Sequence, residues 1–218
     1  MEDTFDVILK GIKSSGLIGL FYGIGTIGLT LIYRYLKFPD FSTVVSIIVS
    51  GLLCVRITNS IDHFWGIPIA IFASILIGSF IGGVTGIQII YAKIPPILAG
   101  IITYTSATSL AYIVSGDEAD LPFNENLRSS LDYVANNIFT PYSLIVAIII
   151  CFFVSYLISR IFRTRFGLMI LALLGTDNYI KYRHKEKLKT TILLIMLGNG
   201  IIGLAGALAA IQNHSANV

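Results

Sequence analysis

Long uncharged runs, separated by short charged punctuation, make up most of the chain. Stretches without Asp, Glu, Lys or Arg cover residues 14–33, 41–55, 63–92, 94–116, 133–159 and 190–218. Five of the six reach the roughly 20 residues that a helix needs to cross a hydrocarbon core. The pattern predicts an all-α fold: a polytopic transmembrane helical bundle of about six spans, forming a single domain over residues 1–218. Multi-pass insertion in a membrane follows from it.

The punctuation between the runs refines this picture. The first span carries Gly16, Gly19, Gly23, Gly25 and Gly28, and Gly19 and Gly23 have the four-residue spacing that lets helices approach closely in lipid. After it the chain turns at Pro39, with Asp40 and Ser42 able to cap the next helix. The second run, 41–55, is short, which leaves two readings. Either Arg56 snorkels outward and lengthens the span, or the helix is broken or re-entrant at Phe38, Pro39 and Asp40. Broken helices are tolerated only where protein or a water-filled cavity surrounds them, and a Pro-interrupted short segment points towards a transport path.

The third run has Trp65 near its start, at headgroup level, and presents Gly78, Gly82, Gly83 and Gly86 as a packing face. The fourth holds Thr103, Thr105, Ser106, Thr108 and Ser109, five hydroxyls in seven residues. These either bond back to carbonyls one turn earlier, or Thr103, Ser106 and Thr108 face a polar cavity. Residues 117–140 read as a solvated polar loop, and spans five and six as 141–159 and 190–211. Residues 5–12 read as a short interfacial helix.

Composition removes the soluble alternatives. Of 218 residues 55% are apolar and 12% charged, against roughly 25% charged in a soluble domain. The net charge of +3 says nothing about nucleic acid, because its distribution follows the loops. Eight of the fifteen basic side chains lie in residues 160–189, which reads as a cytoplasmic loop. With six crossings, the loops on that side hold eleven basic residues against three acids, Asp40, Asp177 and Glu186. The other side holds four basic residues against nine acids and takes the N-terminus. The acidic start, Glu2, Asp3 and Asp6, does not fit a cleavable signal peptide. Cys54 and Cys151 lie in apolar runs and read as unpaired thiols.

Catalytic chemistry finds no footing. His63, His184 and His214 fall in loops or at the tail, and no metal-spaced Cys/His cluster or phosphate-binding loop is present. No cofactor is expected, and any ATP would be bound by another subunit. No charge interrupts the middle of a run, which argues against an ion-coupled pump. The basic loop has more to offer. Thr176 or Asp177, in the Gly175, Thr176, Asp177, Asn178 segment, can cap a helix running through Tyr179, Ile180, Tyr182 and Arg183. Its aromatic face suits a groove on a partner, and its basic residues suit anionic headgroups. A merely solvated, positive-inside loop is the alternative.

Three segments carry a family resemblance. Leu36, Lys37, Phe38, Pro39 and Asp40 resemble the Leu-Asn-Phe-Pro-Asp segment of bacterial ABC-transporter permeases of the branched-chain amino acid and ribose permease superfamily. Residues 93–103 are similar to its Lys-Ile-Asn-Pro-Leu-Leu-Ala-Gly-Ile-Leu-Thr segment. Residues 163–168, followed by Asn199, Gly200 and residues 206–208, resemble its Arg-Thr-Arg-Phe-Gly-Leu and Asn-Gly…Gly-Ala-Leu pattern. The resemblance implies the permease subunit of an ATP-driven importer of a small organic solute, amino acid-like or similar. It implies a permease homodimer, a separate ATP-binding subunit and a periplasmic or lipid-anchored solute-binding protein. Phe38, Pro39, Asp40, Thr103, Ser106, Thr108 and Asn199 become the expected solute path, and Gly175 to Asn178 with Tyr179, Tyr182 and Arg183 the ATPase coupling helix.

The chain departs from the family at Val44 and Val45, where an Asp-Gly pair is usual, and at Met169, which replaces a polar start of the coupling region. Family members also continue through further spans, so a C-terminally truncated product, or one completed by a second polypeptide, is expected. A non-transporting assembly factor or degenerate permease is the reading from the other functional class. A membrane enzyme ranks behind both.

Overall fold

The computed structural model describes residues 2–61, 66–116, 120–124, 143–164, 167–168, 184–213 and 215–217. Within them lie six helices: α1 (Glu2–Leu36), α2 (Ser42–Ser60), α3 (Gly66–Ile90), α4 (Pro96–Ser115), α5 (Ser143–Arg163) and α6 (His184–Asn213). Two short strands, β1 (Asp120–Pro122) and β2 (Ser215–Asn217), pair antiparallel with Leu121 opposite Ala216. Five helices are long and apolar enough to cross a membrane, with spans Ser15–Arg34, Ser42–Ser60, Gly66–Ile90, Pro96–Ile113 and Leu188–Asn213. α5 is 21 residues long and free of charge up to Arg160. The chain is a multi-pass, all-α membrane protein.

α6 is the axis of the bundle, with α1, α2 and α3 packed around it. α4 rests on α2 and α3, and α5 on α1. The small residues of α3 and α6 bring two backbones into contact. A Cβ at Gly82 would lie 2.6 Å from the Ile195 carbonyl oxygen, and one at Gly78 2.5 Å from that of Asn199. α1 meets α6 in the same way, at Gly28 against Gly198. The four-residue glycine pair singled out in the sequence is not where this happens: a Cβ at Gly19 or Gly23 meets nothing within 4 Å. Small-residue spacing permits close approach, but which glycines use it depends on where the partner helix crosses.

These contacts also fix the helix directions. Gly25 meets Ala205 and Gly28 meets Gly198, while Gly78 meets Gly203 and Gly86 meets Ile192, so α1 and α3 run antiparallel to α6. Cys151 bonds the Leu20 carbonyl near the start of α5, and Phe162 packs by Leu31 near its end, so α5 runs parallel to α1. One end of the bundle therefore gathers Arg34, Lys93, Arg160, Arg163 and Lys189. The other carries the β1–β2 pair, fastened by Asn59: its side-chain amide donates to the Pro122 carbonyl at 3.0 Å, and its side-chain oxygen accepts the Asn124 N–H at 3.0 Å.

Three sequence expectations change and one open alternative is decided. α1 runs unbroken from Glu2, so 5–12 is not a separate interfacial helix. Of the two readings of the second run, the lengthened one holds: α2 is one helix of 19 residues, extended through an exposed Arg56 to Ser60, with Phe38, Pro39 and Asp40 in the turn before it. The 117–140 segment is not simply a solvated loop, because Leu121 and Phe123 are buried against α2 and α4 residues in the main core. Asp40, counted as a loop acid, is buried at 4% exposure. Most of the basic loop, including the whole 169–183 stretch with the expected coupling residues, lies outside the described residues.

Orientation is testable. By the positive-inside bias the end carrying Lys93 is cytoplasmic and the end carrying Asn124 is outside. In a background lacking both native cysteines, Asn124→Cys in intact cells is expected to react with an impermeant thiol reagent, and Lys93→Cys only after lysis. The opposite pattern inverts the assignment.

Candidate functional site

The site is built on the turn between α1 and α2. α1 ends at Leu36, and Lys37 takes a left-handed conformation (φ 57°) that ends the helix. Pro39 comes next, and Asp40 then starts α2 from inside the bundle. Its Oδ1 accepts the Ser42 N–H at 2.9 Å, and its carbonyl accepts the Thr43 hydroxyl at 2.8 Å. A carboxylate at this end of a helix satisfies a free backbone donor and meets the positive pole of the helix dipole.

The second carboxylate oxygen reaches across the bundle. Asn199 of α6 donates from Nδ2 to Asp40 Oδ2 at 3.2 Å and to its own Ile195 carbonyl at 3.2 Å. Asn199 Oδ1 accepts the Ser46 hydroxyl at 2.7 Å. Asp40, Ser42, Ser46 and Asn199 are all buried, and Ser42 Oγ has no hydrogen-bond partner among the described residues. Asn199 lies eleven residues beyond Leu188, the start of the last candidate span, or about 16 Å at the helical rise. An acid that the sequence places in a loop is thus buried inside the bundle at the level of Asn199.

Burying a carboxylate there is costly, and the arrangement compensates with the helix N-terminus and hydrogen bonds to the charged group. Two glycines make the room. A Cβ at Gly82 would lie 2.9 Å from Asn199 Nδ2, and one at Gly100 would lie 2.9 Å from the Phe41 nitrogen and 3.4 Å from Asp40 Oδ1. The turn is therefore wedged among α3, α4 and α6.

Two further polar groups join helices nearby. Ser50 and Ser74 donate to each other's carbonyls, at 3.1 and 2.8 Å, clamping α2 to α3. Thr103 of α4 donates to Gln88 Oε1 at 3.2 Å and accepts from Thr85 at 3.0 Å. A cavity of about 130 Å³ opens between α1, α2 and α6 towards the strand end. Its lining residue Ile47 adjoins Ser46, and its polar edge is made by Tyr22, Asn213 and Ser215.

The structure thus brings Asp40 and Asn199 together, with Phe38 half-buried and Pro39 exposed beside them. Thr103 belongs to the separate group with Thr85 and Gln88. Thr108 bonds back to the Tyr104 carbonyl at 2.7 Å, as do Thr105 and Ser109 to carbonyls of their own helix. Ser106 is exposed. Gly175, Thr176, Asp177, Asn178, Tyr179, Tyr182 and Arg183 fall outside the described residues. Ser42 was singled out in the sequence only as a cap, and Ser46, Ser50 and Ser74 were not singled out at all. A signal was available: Ser42, Ser46 and Ser50 repeat every four residues and so share one face of α2.

Comparison with known proteins places this bundle among transporters. The family model described as branched-chain amino acid transport system, permease component, matches residues 14–218. A relative from Clostridioides difficile (strain R20291), named tyrosine transport system permease protein, is 27% identical over 203 residues, covering 93% of this chain. The chain spans 65% of the length of that relative. No solved structure gives a significant match.

Proposed function

The chain belongs to the branched-chain amino acid transport system permease family, and on that premise we propose that it forms the solute path of an ATP-driven importer. The solute is a small organic molecule of amino acid type, with tyrosine the first to test because the relative bears that name. ATP is hydrolysed by a separate subunit, a solute-binding protein delivers from the strand end, and two copies of the permease assemble. The observation that carries this reading is the buried Asp40–Asn199–Ser46 group, which sets a carboxylate among the helices of a membrane bundle. Intramembrane carboxylates are costly to keep and mark transport pathways when they occur. A cavity nearer the strand end lies along the same α2–α6 seam, lined by Ile47, Gly51 and Gly206. The Thr103 hydroxyl group lies on the α4 side of the turn, with Ser106 and Thr108 beyond it on α4 in the direction of the strand end.

Uptake of radiolabelled tyrosine and of branched-chain amino acids by cells expressing the complete transporter tests the path. Saturable uptake that requires this chain is expected, and its absence for every amino acid offered rejects the solute class. Coupling is tested separately. Tyr179→Ala with Tyr182→Ala is expected to leave insertion unchanged and to remove co-purification with, and stimulation of, the ATPase. Unchanged ATP hydrolysis by the double variant rejects the coupling helix.

A further inference from the structure

α5 packs on α1 alone among the helices with substantial contacts, and the seam between them is incomplete. A groove of about 370 Å³ lies there, walled by Ile27, Leu31, Ile158 and Phe162. Thr26 and Thr30 also face it, but their hydroxyls bond the carbonyls of Gly23 and Thr26, both at 2.7 Å, so they ask nothing of a ligand. Charge enters only at the basic end, where Arg34 lines the mouth and Arg163 follows Phe162 in the last turn of α5. Both arginines are exposed, and neither has a hydrogen-bond or ion-pair partner among the described residues. From Thr26 to Arg34 the groove extends eight residues along α1, about 12 Å at the helical rise.

We infer that this groove is a binding site for an anionic phospholipid: one acyl chain lies along α1 and the phosphate meets Arg34 and Arg163. An apolar trough with cations at one end matches an amphiphile with a negative head. The guanidinium fork is the side chain best shaped for phosphate oxygens, and basic pockets between helices on the cytoplasmic side hold anionic headgroups in this way. The outer face of α5 is turned to lipid already, with Phe152, Phe153 and Tyr156 each at least 60% exposed. A second copy of this chain fits the groove less well, because a two-fold contact about an axis along the membrane normal would bring the two basic ends together. This site is separate from the Asp40 group, and its occupancy does not depend on what the protein transports.

Arg160 supplies an internal control. It lies two residues from both Ile158 and Phe162, on the opposite face of α5, and carries the same charge. Native mass spectrometry of the detergent-purified protein, titrated with phosphatidylglycerol or with phosphatidylcholine of identical chains, reads the site directly. One phosphatidylglycerol is expected to bind in preference to phosphatidylcholine. Arg34→Gln and Arg163→Gln should each weaken it roughly fivefold, while Arg160→Gln leaves it unchanged. Thr30→Phe fills the groove without altering charge and should displace the same lipid. Glycerol phosphate, which has the headgroup chemistry but no acyl chain, should not compete. Equal retention of the two lipids overturns the proposal, as does loss of binding in Arg160→Gln equal to that in Arg34→Gln, or full binding in Thr30→Phe.

Discussion

Asp40→Ala is expected to abolish solute uptake while leaving a protein that still inserts. The substitution removes the acceptor for the Ser42 N–H at the start of α2 and the partner of Asn199 Nδ2. Loss of a helix-capping acceptor costs about 1 kcal/mol, and a buried donor left without its partner about 1–3 kcal/mol. The expected destabilisation is thus about 2–4 kcal/mol, seen as a lower melting temperature in detergent. Asp40→Asn separates charge from shape. It can still accept the Ser42 N–H, so it should melt close to the parent, yet uptake is expected to fall at least tenfold if the negative charge contacts the solute or its path. Parental uptake by Asp40→Asn would show that the carboxylate only pins the turn. Asn199→Leu is the reciprocal case: it strands Asp40 and the Ser46 hydroxyl together, and should be worse than Asn199→Ser.

Gly82→Leu should have the largest effect on folding. A Cβ there would sit 2.6 Å from the Ile195 carbonyl and 2.8 Å from Asn199 Cβ, both on the axial helix, so neither neighbour is a flexible side-chain tip that can swing away. α3 would have to move off α6, opening the Ser50–Ser74 clamp and the seat of Asn199 together. Overpacking of this kind commonly costs about 1–3 kcal/mol, and more where backbone must shift. Loss of most monodisperse protein after detergent extraction is the expected readout. Gly19→Leu is the matched control, since nothing lies within 4 Å of a Cβ at that position. If both variants extract and melt alike, the close α3–α6 contact is not what holds the bundle.

What could be read directly from the chain was whatever depends on neighbours in sequence. Apolar runs long enough to span, in a solvent that forces every backbone group to bond internally, specify helices, and their boundaries followed to within a few residues for α3 and α4. The basic residues gathered at one end of the bundle because helix direction alternates with each crossing. Pro39 and Asp40 marked a turn and a cap, because both act on adjacent backbone. The tertiary structure decided the rest. Asp40 and Asn199 are 159 positions apart, and no local pattern says that the turn carrying Asp40 folds inward to meet α6. That requires Gly100 to face the turn and Gly82 to face Asn199, which is a property of how α3 and α4 cross α6 and α2. The α4 hydroxyls divided for the same reason: Thr103 found Thr85 and Gln88, whereas Thr105, Thr108 and Ser109, lacking a neighbouring helix at hydrogen-bond distance, bonded to their own. Glycine spacing likewise allowed contact at Gly19, Gly23 or Gly28, but only the position where α6 passes closest, Gly28, made it.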